Sequence, residues 1–274
     1  MAYCHAAGYG DYEHGAFWFG LEPRAAAFAA RADVLFLGDS RMQHAFSTSA
    51  TAAWFSSSAA RYYLLGFGYS ENSAFAAALL AHLKPQAKLY VINMDRFFDR
   101  RETIPARTVI EDDGARLHYQ IKRLWQLVHR PICEHVPMVC GDQYVVFRSR
   151  EDGTYHPSGL SALESKPVTY APASEGDNTE NDITIARAFL SRLQVKHDCV
   201  ILTLVPTVAT KGAGAAEMAA VLGLEFVSPK LDNLTTFDGS HLDHASAERW
   251  SAAFLQVAAP RIRDCLRQST AAQS

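Results

Sequence analysis

The sequence predicts an α/β fold in which a parallel, five-stranded sheet carries helices on both faces. Short apolar runs of strand length alternate along the chain with segments whose apolar residues recur at helical spacing. Strands that are separated by helices pair in parallel through crossover connections. The composition is that of a globular protein, since 49% of the 274 residues are hydrophobic and 20% are charged.

Five apolar runs, each bounded by turn-forming residues, are predicted to be the strands. Uninterrupted runs of this kind are typical of parallel strands that are buried on both faces. The predicted strands cover residues 33–38, 62–67, 88–93, 199–205 and 224–227. Reactive side chains are then expected in the loops that leave the carboxyl ends of these strands.

Helices are predicted where apolar residues repeat at positions i, i+3, i+4 and i+7. The matching sets are Ala76, Leu79, Leu80 and Leu83, then Ala186, Phe189, Leu190 and Leu193, and finally Trp250, Ala253, Phe254 and Val257. Ser70 and Asp243 are expected to cap the first and last of these helices. Pro260 is expected to bend or end the last one.

Residues 98–176 interrupt the alternation of strands and helices. A mixed helix is expected around residues 119–129, and residues 144–155 are expected to form a β-hairpin with a two-residue turn at Asp152-Gly153. No part of this interval shows the pattern of an independent core. We therefore expect a single domain, residues 1–274, with residues 98–176 inserted over the carboxyl edge of the sheet.

Charge and hydropathy argue against nucleic-acid binding and against a membrane-spanning segment. The 26 basic and 29 acidic residues give a net charge of −3, so no basic field suggests nucleic acid. No run of about eighteen apolar residues is free of charge, so no transmembrane segment is expected. Residues 1–20 also lack the basic start and apolar core of a signal peptide.

A serine follows the first predicted strand directly, in Leu37-Gly-Asp-Ser-Arg41. A serine on the turn between a buried strand and a helix is held exposed, near backbone N–H groups that can stabilise an oxyanion. The alternative interpretation is that Asp39 and Ser40 only cap the following helix. Ser40 is therefore a candidate nucleophile.

A second candidate group lies nearly two hundred residues later, in Thr236-Phe-Asp-Gly-Ser-His-Leu-Asp243. An Asp three residues before a His can accept from one ring nitrogen while the other nitrogen faces a serine hydroxyl. The alternative is a surface loop in which Asp238 and Asp243 form turns and cap a helix. A nucleophile after the first strand and this pair before the last helix can meet above one sheet.

At these residues the chain resembles the SGNH hydrolases, also called the GDSL esterase family. Gly38-Asp39-Ser40 is similar to the family's first block and Asp238-Gly-Ser-His241 to its last, so the resemblance covers most of the chain. It implies a flavodoxin-like, three-layer α/β/α fold. It also implies that Ser40 is the nucleophile, that His241 is the general base and acid, and that Asp238 orients His241.

The resemblance also implies an oxyanion hole made by the Ser40 N–H group and two further donors. The second block corresponds to Gly68 or, in another register, to the Tyr69 N–H group. The third block is usually Gly-x-Asn-Asp, whereas Val91-Ile-Asn-Met-Asp-Arg96 lacks the Gly, so Asn93 and Asp95 both remain candidates. Asn93 is the better one, because an ionised Asp cannot donate a hydrogen bond.

Arg41 is similar to the arginine of an Asp-Ser-Arg variant in relatives that act on acyl groups of cell-envelope polysaccharides. We expect it to pair with Asp39 or Asp95, or to contact an anionic substrate. The resemblance and the abrupt start of the chain suggest a periplasmic or other extracytoplasmic location, and a cytoplasmic one stays open.

No metal or cofactor is expected. His129, Cys133, His135 and Cys140 are zinc-ligand types, but their spacing matches no zinc pattern. The five cysteines are irregularly spaced and do not describe a disulfide framework; Cys133 and Cys140 are close in sequence, and either a disulfide or two free thiols fits them.

The sequence thus predicts a serine-dependent esterase that removes a small acyl group, such as acetyl, from a carbohydrate or related alcohol. One alternative is an O-acyltransferase that uses the same three residues to acylate a cell-envelope glycan. Another is a non-catalytic domain of the same fold that binds a glycan or a protein.

Overall fold

A five-stranded, all-parallel sheet forms the centre of the fold. The computed structural model describes residues 9–10, 14–68, 72–99, 104–112, 114–122, 124–125, 145–158, 164–171 and 180–271. In chain order its strands are β1 (Tyr9–Gly10), β2 (Val34–Asp39), β3 (Tyr62–Phe67), β4 (Leu89–Asn93), β5 (Val145–Ser149), β6 (Tyr155–Ser158), β7 (Lys166–Pro167), β8 (Val200–Thr203), β9 (Glu225–Phe226) and β10 (Thr235–Thr236). Its helices are α1 (His14–Trp18), α2 (Pro23–Ala30), α3 (Ser40–Phe46), α4 (Ser49–Ser57), α5 (Ser73–Leu83), α6 (Ile104–Glu111), α7 (Glu180–Leu190), α8 (Gly212–Leu222) and α9 (His244–Ala271).

The strand order of the central sheet is β3-β2-β4-β8-β9. Counted along the chain within this sheet, the order is second, first, third, fourth and fifth, which is the flavodoxin order. The predicted fold class is therefore confirmed, and all five predicted strands form within two residues of the expected bounds.

Alternate side chains of the strands enter two separate apolar clusters, because successive residues of a strand point to opposite faces. On one face Leu35 and Leu37 of β2 pack with residues of α2, α5, α7 and α8. On the other face Val34 and Phe36 pack with residues of α3, α4 and α9, including Trp250. Helices therefore cover both faces and give three layers.

The predicted cap of α5 is wrong, and the last helix does not end at its proline. Asn72 caps α5, since its side chain accepts from the Ala74 N–H group, and the expected cap Ser70 lies outside the described residues. Helix α9 continues through Pro260 to residue 271. The buried side chains of Phe254 and Ile262, one on each side of the proline, hold both halves of the helix against the same face of the sheet.

The expected hairpin forms, but its connecting loop is longer than predicted. Strand β5 ends at Ser149 and β6 begins at Tyr155, so residues 150–154 replace the two-residue turn at Asp152-Gly153. The longer loop reaches the edge of the central sheet, where the Leu64 N–H group of β3 donates to the Asp152 carbonyl oxygen at 2.8 Å. This contact supplies an acceptor to an N–H group at the edge of the sheet.

Arg148 of the hairpin also covers the edge of β3. Its guanidinium donates to the carbonyl oxygens of Leu64 and Gly66, the second at 2.9 Å, and lies 4.6 Å from the centre of the Phe67 ring. The side chain is 1% exposed. The described part of the hairpin is thus attached to the main sheet.

The interval 98–176 contains described and undescribed parts. Val109 of α6 belongs to the same apolar cluster as Leu35, and residues 115–122 are helical, while residues 126–144 lie outside the described residues. The expectations of one domain and of an insertion over the carboxyl edge stay predictions. The cluster of His129, Cys133, His135 and Cys140 also lies outside the described residues. Among the described helices, none is both long enough and apolar enough to cross a bilayer.

A disulfide joins Cys199, directly before β8, to Cys265 in α9, across a separation of 66 residues. The expectation that the cysteines form no disulfide framework missed this pair. Both cysteines are buried, so the link fastens the last helix to the central sheet. The expected alternatives for Cys133 and Cys140 lie outside the described residues.

We expect replacement of Cys199 and Cys265 by Ala to lower the free energy of unfolding by about 2–4 kcal/mol, because the unfolded chain regains the entropy of the open loop. Denaturant unfolding of the variant and of the parent measures this difference. Reduction of the parent should give a similar loss. Peptide mapping that finds both thiols free in the unreduced parent would contradict the pairing.

Candidate active site

Ser40 is the first residue of α3 and follows β2 without an intervening loop. The Asp39 carboxylate caps this helix by accepting from the Arg41 N–H group at 3.0 Å. Gly38 has φ +153°, and a Cβ there would lie 3.0 Å from Asn93 Cβ and 3.1 Å from Met42 Cβ. A residue without a side chain is therefore needed immediately before the Asp39-Ser40 turn.

The segment 236–243 forms a tight loop before α9. The Asp238 Oδ1 atom accepts from the N–H groups of Ser240 and His241, each at 2.8 Å. Gly239 has φ +86°, a conformation that glycine adopts without steric cost. Asp243 accepts from the Ser246 N–H group at 2.8 Å, so the expected cap of α9 is present.

The structure brings Ser40, His241 and Asp238 into one chain of hydrogen bonds. Ser40 Oγ lies 2.8 Å from His241 Nε2, and His241 Nδ1 lies 2.6 Å from Asp238 Oδ2. With its proton on Nδ1, the ring donates to Asp238, and Nε2 accepts from the serine hydroxyl. Ser40 and His241 are 201 positions apart in the chain. Together with Asp238 they have the connectivity of a nucleophile, a base and an orienting carboxylate.

Two aromatic side chains pack against the imidazole of His241 and against each other, with the centres of the Phe237 and His44 rings 5.3 Å apart. The Phe237 ring stacks on the imidazole at 5.5 Å with an interplanar angle of 15°, and the His44 ring lies 4.8 Å from the imidazole. Burial, followed by the influence of His241, lowers the pKa of His44 to about 3, so this second imidazole is neutral at neutral pH. Neither residue was predicted, although His44 lies one turn after Ser40 on α3, on the same helix face.

The two carboxyl groups of the site have opposite electrostatic environments. Burial acts to raise the pKa of Asp238, but hydrogen bonds from the His241 backbone, the His241 ring and the Ser240 N–H group hold it below its usual value. Burial raises the pKa of Asp39 to about 7, and the nearby Asp95 adds to this rise, while Arg41 opposes it. Asp238 is therefore ionised at neutral pH, and Asp39 titrates there.

Gly68 and Asn93 lie at the same edge of the sheet as Ser40. Asp39 is paired with Phe67, so Gly68 is the next residue along the neighbouring strand, and a Cβ there would meet nothing within 4 Å. Asn93 is fully buried; its Nδ2 lies 3.5 Å from Asp39 Oδ1, and its Oδ1 accepts from the Val205 N–H group at 3.0 Å. The contributions of these residues to an oxyanion hole stay predictions, and Tyr69 lies outside the described residues.

Arg41 pairs with Asp95, one of the two carboxylates expected from the sequence. Both side chains are partly exposed, and both line an open cleft of about 810 Å³ beside the hydrogen-bonded triad. Gly239 lines the same cleft, which places the cleft next to the Asp238–His241 loop. Its walls carry acidic, basic and hydroxyl side chains, including Asp182, Lys211 and Thr210.

Comparison with protein-family models, curated proteins and solved structures gave no match for this chain. Within the part of the chain that the structure describes, no three His, Cys, Asp or Glu side chains are grouped so as to hold a metal ion.

The environment of Asp39 predicts a pH-dependent effect of Asp39→Asn. The folded chain keeps this proton up to about pH 7, whereas an unperturbed carboxyl loses it near 3.8, so Asp39 contributes stability at low pH that is lost as the pH rises through 7. Relative to the parent, the variant should gain on the order of 4 kcal/mol in free energy of unfolding between pH 4 and pH 8. Denaturant unfolding at both pH values measures this.

Asp238→Asn is the matched control, because the pKa of Asp238 is lowered. An acid with a lowered pKa stabilises the folded state above its usual value of 3.8 and loses this contribution only at lower pH, so Asp238→Asn should change little relative to the parent between pH 4 and pH 8. A gain of Asp238→Asn over this interval as large as that of Asp39→Asn would contradict the assigned environments.

Proposed function

We propose that this chain is a serine-dependent enzyme of acyl esters, with the roles that the resemblance to SGNH hydrolases implies. The observation that carries the proposal is the continuous hydrogen-bonded chain of Ser40, His241 and Asp238, with distances of 2.8 and 2.6 Å. Such a chain activates a serine hydroxyl, which is a weak nucleophile in isolation.

In the first half of the reaction, Ser40 Oγ attacks the ester carbonyl carbon while His241 Nε2 takes the hydroxyl proton. Asp238 accepts from Nδ1 and stabilises the imidazolium that forms. The negative oxygen of the tetrahedral intermediate receives hydrogen bonds from the N–H groups of Ser40 and Gly68. The intermediate collapses, His241 gives its proton to the leaving alcohol, and an acyl-serine remains.

In the second half, His241 takes a proton from an incoming hydroxyl group, which attacks the acyl-serine. If this group is water, the carboxylic acid is released and Ser40 recovers its proton from His241. Asn93 is proposed as a further oxyanion donor only if its amide turns away from Asp39, because its Nδ2 lies 3.5 Å from that carboxylate in the structure.

The cleft beside Arg41 supports a polar alcohol as the second product. Its walls combine hydroxyl groups, carboxylates and cations, which are the groups that hydrogen-bond a polyhydroxy compound. We therefore propose a small acyl group, such as acetyl, on a carbohydrate or related alcohol as the substrate.

The same cleft could hold an accepting sugar in place of water, so an O-acyltransferase is the second candidate. Product analysis with and without a sugar acceptor separates the two activities. The Cys199–Cys265 disulfide supports an extracytoplasmic location for either activity, since disulfides persist in oxidising compartments.

A fluorophosphonate probe should label Ser40 covalently, because it reacts with serines that a neighbouring base activates. Mass spectrometry of the labelled protein locates the adduct, and Ser40→Ala should abolish it. Absence of labelling in the folded parent, or equal labelling of the variant, would favour a non-catalytic domain of the same fold.

With p-nitrophenyl acetate as substrate, His241→Ala should reduce kcat about as strongly as Ser40→Ala. Asp238→Asn should retain about 10–100 times more activity than these two, because the base remains and only its orientation and charge stabilisation are lost. Steady-state kinetics at neutral pH measures all three variants. An Asp238→Asn variant as active as the parent would show that another group orients His241.

A further inference from the structure

Arg41 connects the helix that carries Ser40 to the loop that carries His241. Its Nε atom donates to Ser240 Oγ at 2.9 Å, while its Nη1 atom pairs with Asp95 after β4. Its own backbone N–H group donates to Asp39, the cap of α3. One residue, directly after Ser40, therefore contacts three segments of the site.

The loop from Thr236 to Asp243 is also anchored at its base. Thr236 Oγ1 donates to the Lys166 carbonyl oxygen at 3.0 Å and accepts from the Gly239 N–H group at 3.1 Å. The contact with Lys166, together with the pairing of β10 with β7, fixes the base of the loop to β7.

In the described part of the chain, two hydrogen bonds join the tip of the loop to α3. Ser40 Oγ bonds with His241 Nε2, and Arg41 Nε donates to Ser240 Oγ. The first of these must break when His241 passes the proton to a leaving alcohol. A second bond that does not take part in proton transfer keeps the loop in place during that step.

We propose that Arg41, oriented by Asp95, is a positioning residue that holds the Asp238–His241 loop in register with Ser40. This inference rests on the proposed function, because it assigns Arg41 a role in the same reaction. Asp95 fixes the guanidinium plane from one side, so that Nε is directed to Ser240 on the other. Lysine cannot reproduce this arrangement, because its single ammonium group lacks the planar fork of two separated N–H donors.

The effect of losing Arg41 should appear in kcat, because the position of His241 matters most in the transition state. Arg41→Gln should lower kcat for p-nitrophenyl acetate about 10–100-fold, with KM within about twofold of the parent. Arg41→Lys should not restore the rate. Ser240→Ala removes the same contact from the other side and should lower kcat about 3–10-fold.

The double variant tests whether the two residues act through one contact. Arg41→Gln combined with Ser240→Ala should be no slower than Arg41→Gln alone, since the contact can be lost only once. Multiplicative effects of the two changes would overturn the proposal. If Arg41→Gln fails to fold, Asp95→Asn combined with Ser240→Ala carries the same test.

Arg61→Gln is the matched control. Arg61 pairs with Asp33 at the opposite end of the sheet, with Nε 3.1 Å from Oδ2, so the change removes an equivalent ion pair away from the loop. This variant should keep the kcat of the parent.

The hydrogen-exchange rates of residues 236–243 report how firmly the loop is held in the absence of substrate. Exchange in this segment should become faster in Arg41→Gln and stay unchanged in Arg61→Gln. Unchanged loop exchange in Arg41→Gln, or a loss confined to KM, would overturn the positioning role. A parent that does not react with the fluorophosphonate probe would instead refute the proposed enzyme, and the exchange rates would still decide whether Arg41 holds the loop.

Discussion

Parallel pairing of β2 with both β3 and β4 is the constraint on which the rest of the structure depends. Residues 34–39 pair with 62–67 on one side, and residues 34–37 pair with 89–92 on the other. Parallel strands end at a common edge, so this pairing brings Ser40, Gly68 and Asn93 to one edge of the sheet. The side chains of β2 alternate between two apolar clusters, so a shift of one residue would exchange its two faces.

The same edge carries a concentration of charge that the fold has to accommodate. Asp39 is buried beneath the start of α3, and the charge of Asp95 helps to raise its pKa. Arg41 interacts with both, through its backbone N–H group to Asp39 and its guanidinium to Asp95. The cation that balances these carboxyl groups also reaches Ser240, so the electrostatics of the strand ends and the position of the distant loop depend on one side chain.

Features that depend on a short stretch of chain could be predicted, and those that depend on packing could not. The apolar run before Ser40 and the spacing of Asp238 and His241 are local, and the elements formed where expected. Pro260 would end an isolated helix, yet α9 continues because the residues on both sides of the proline are buried against the sheet. Asp152-Gly153 favours a tight turn, yet the loop is longer because β3 supplies a hydrogen-bond donor to it.

By itself, the sequence determined the five strands, their helical connections and the presence of Ser40, Asp238 and His241 in segments that follow a strand or precede a helix. Only the tertiary structure decided that Ser40 Oγ lies 2.8 Å from His241 Nε2, that Phe237 and His44 pack against the imidazole, and that Arg41 pairs with Asp95. It also decided that Cys199 joins Cys265. The physical reason is that strand and helix patterns repeat within a few residues, whereas these contacts join distant segments whose separation is set by the packing of helices on the sheet.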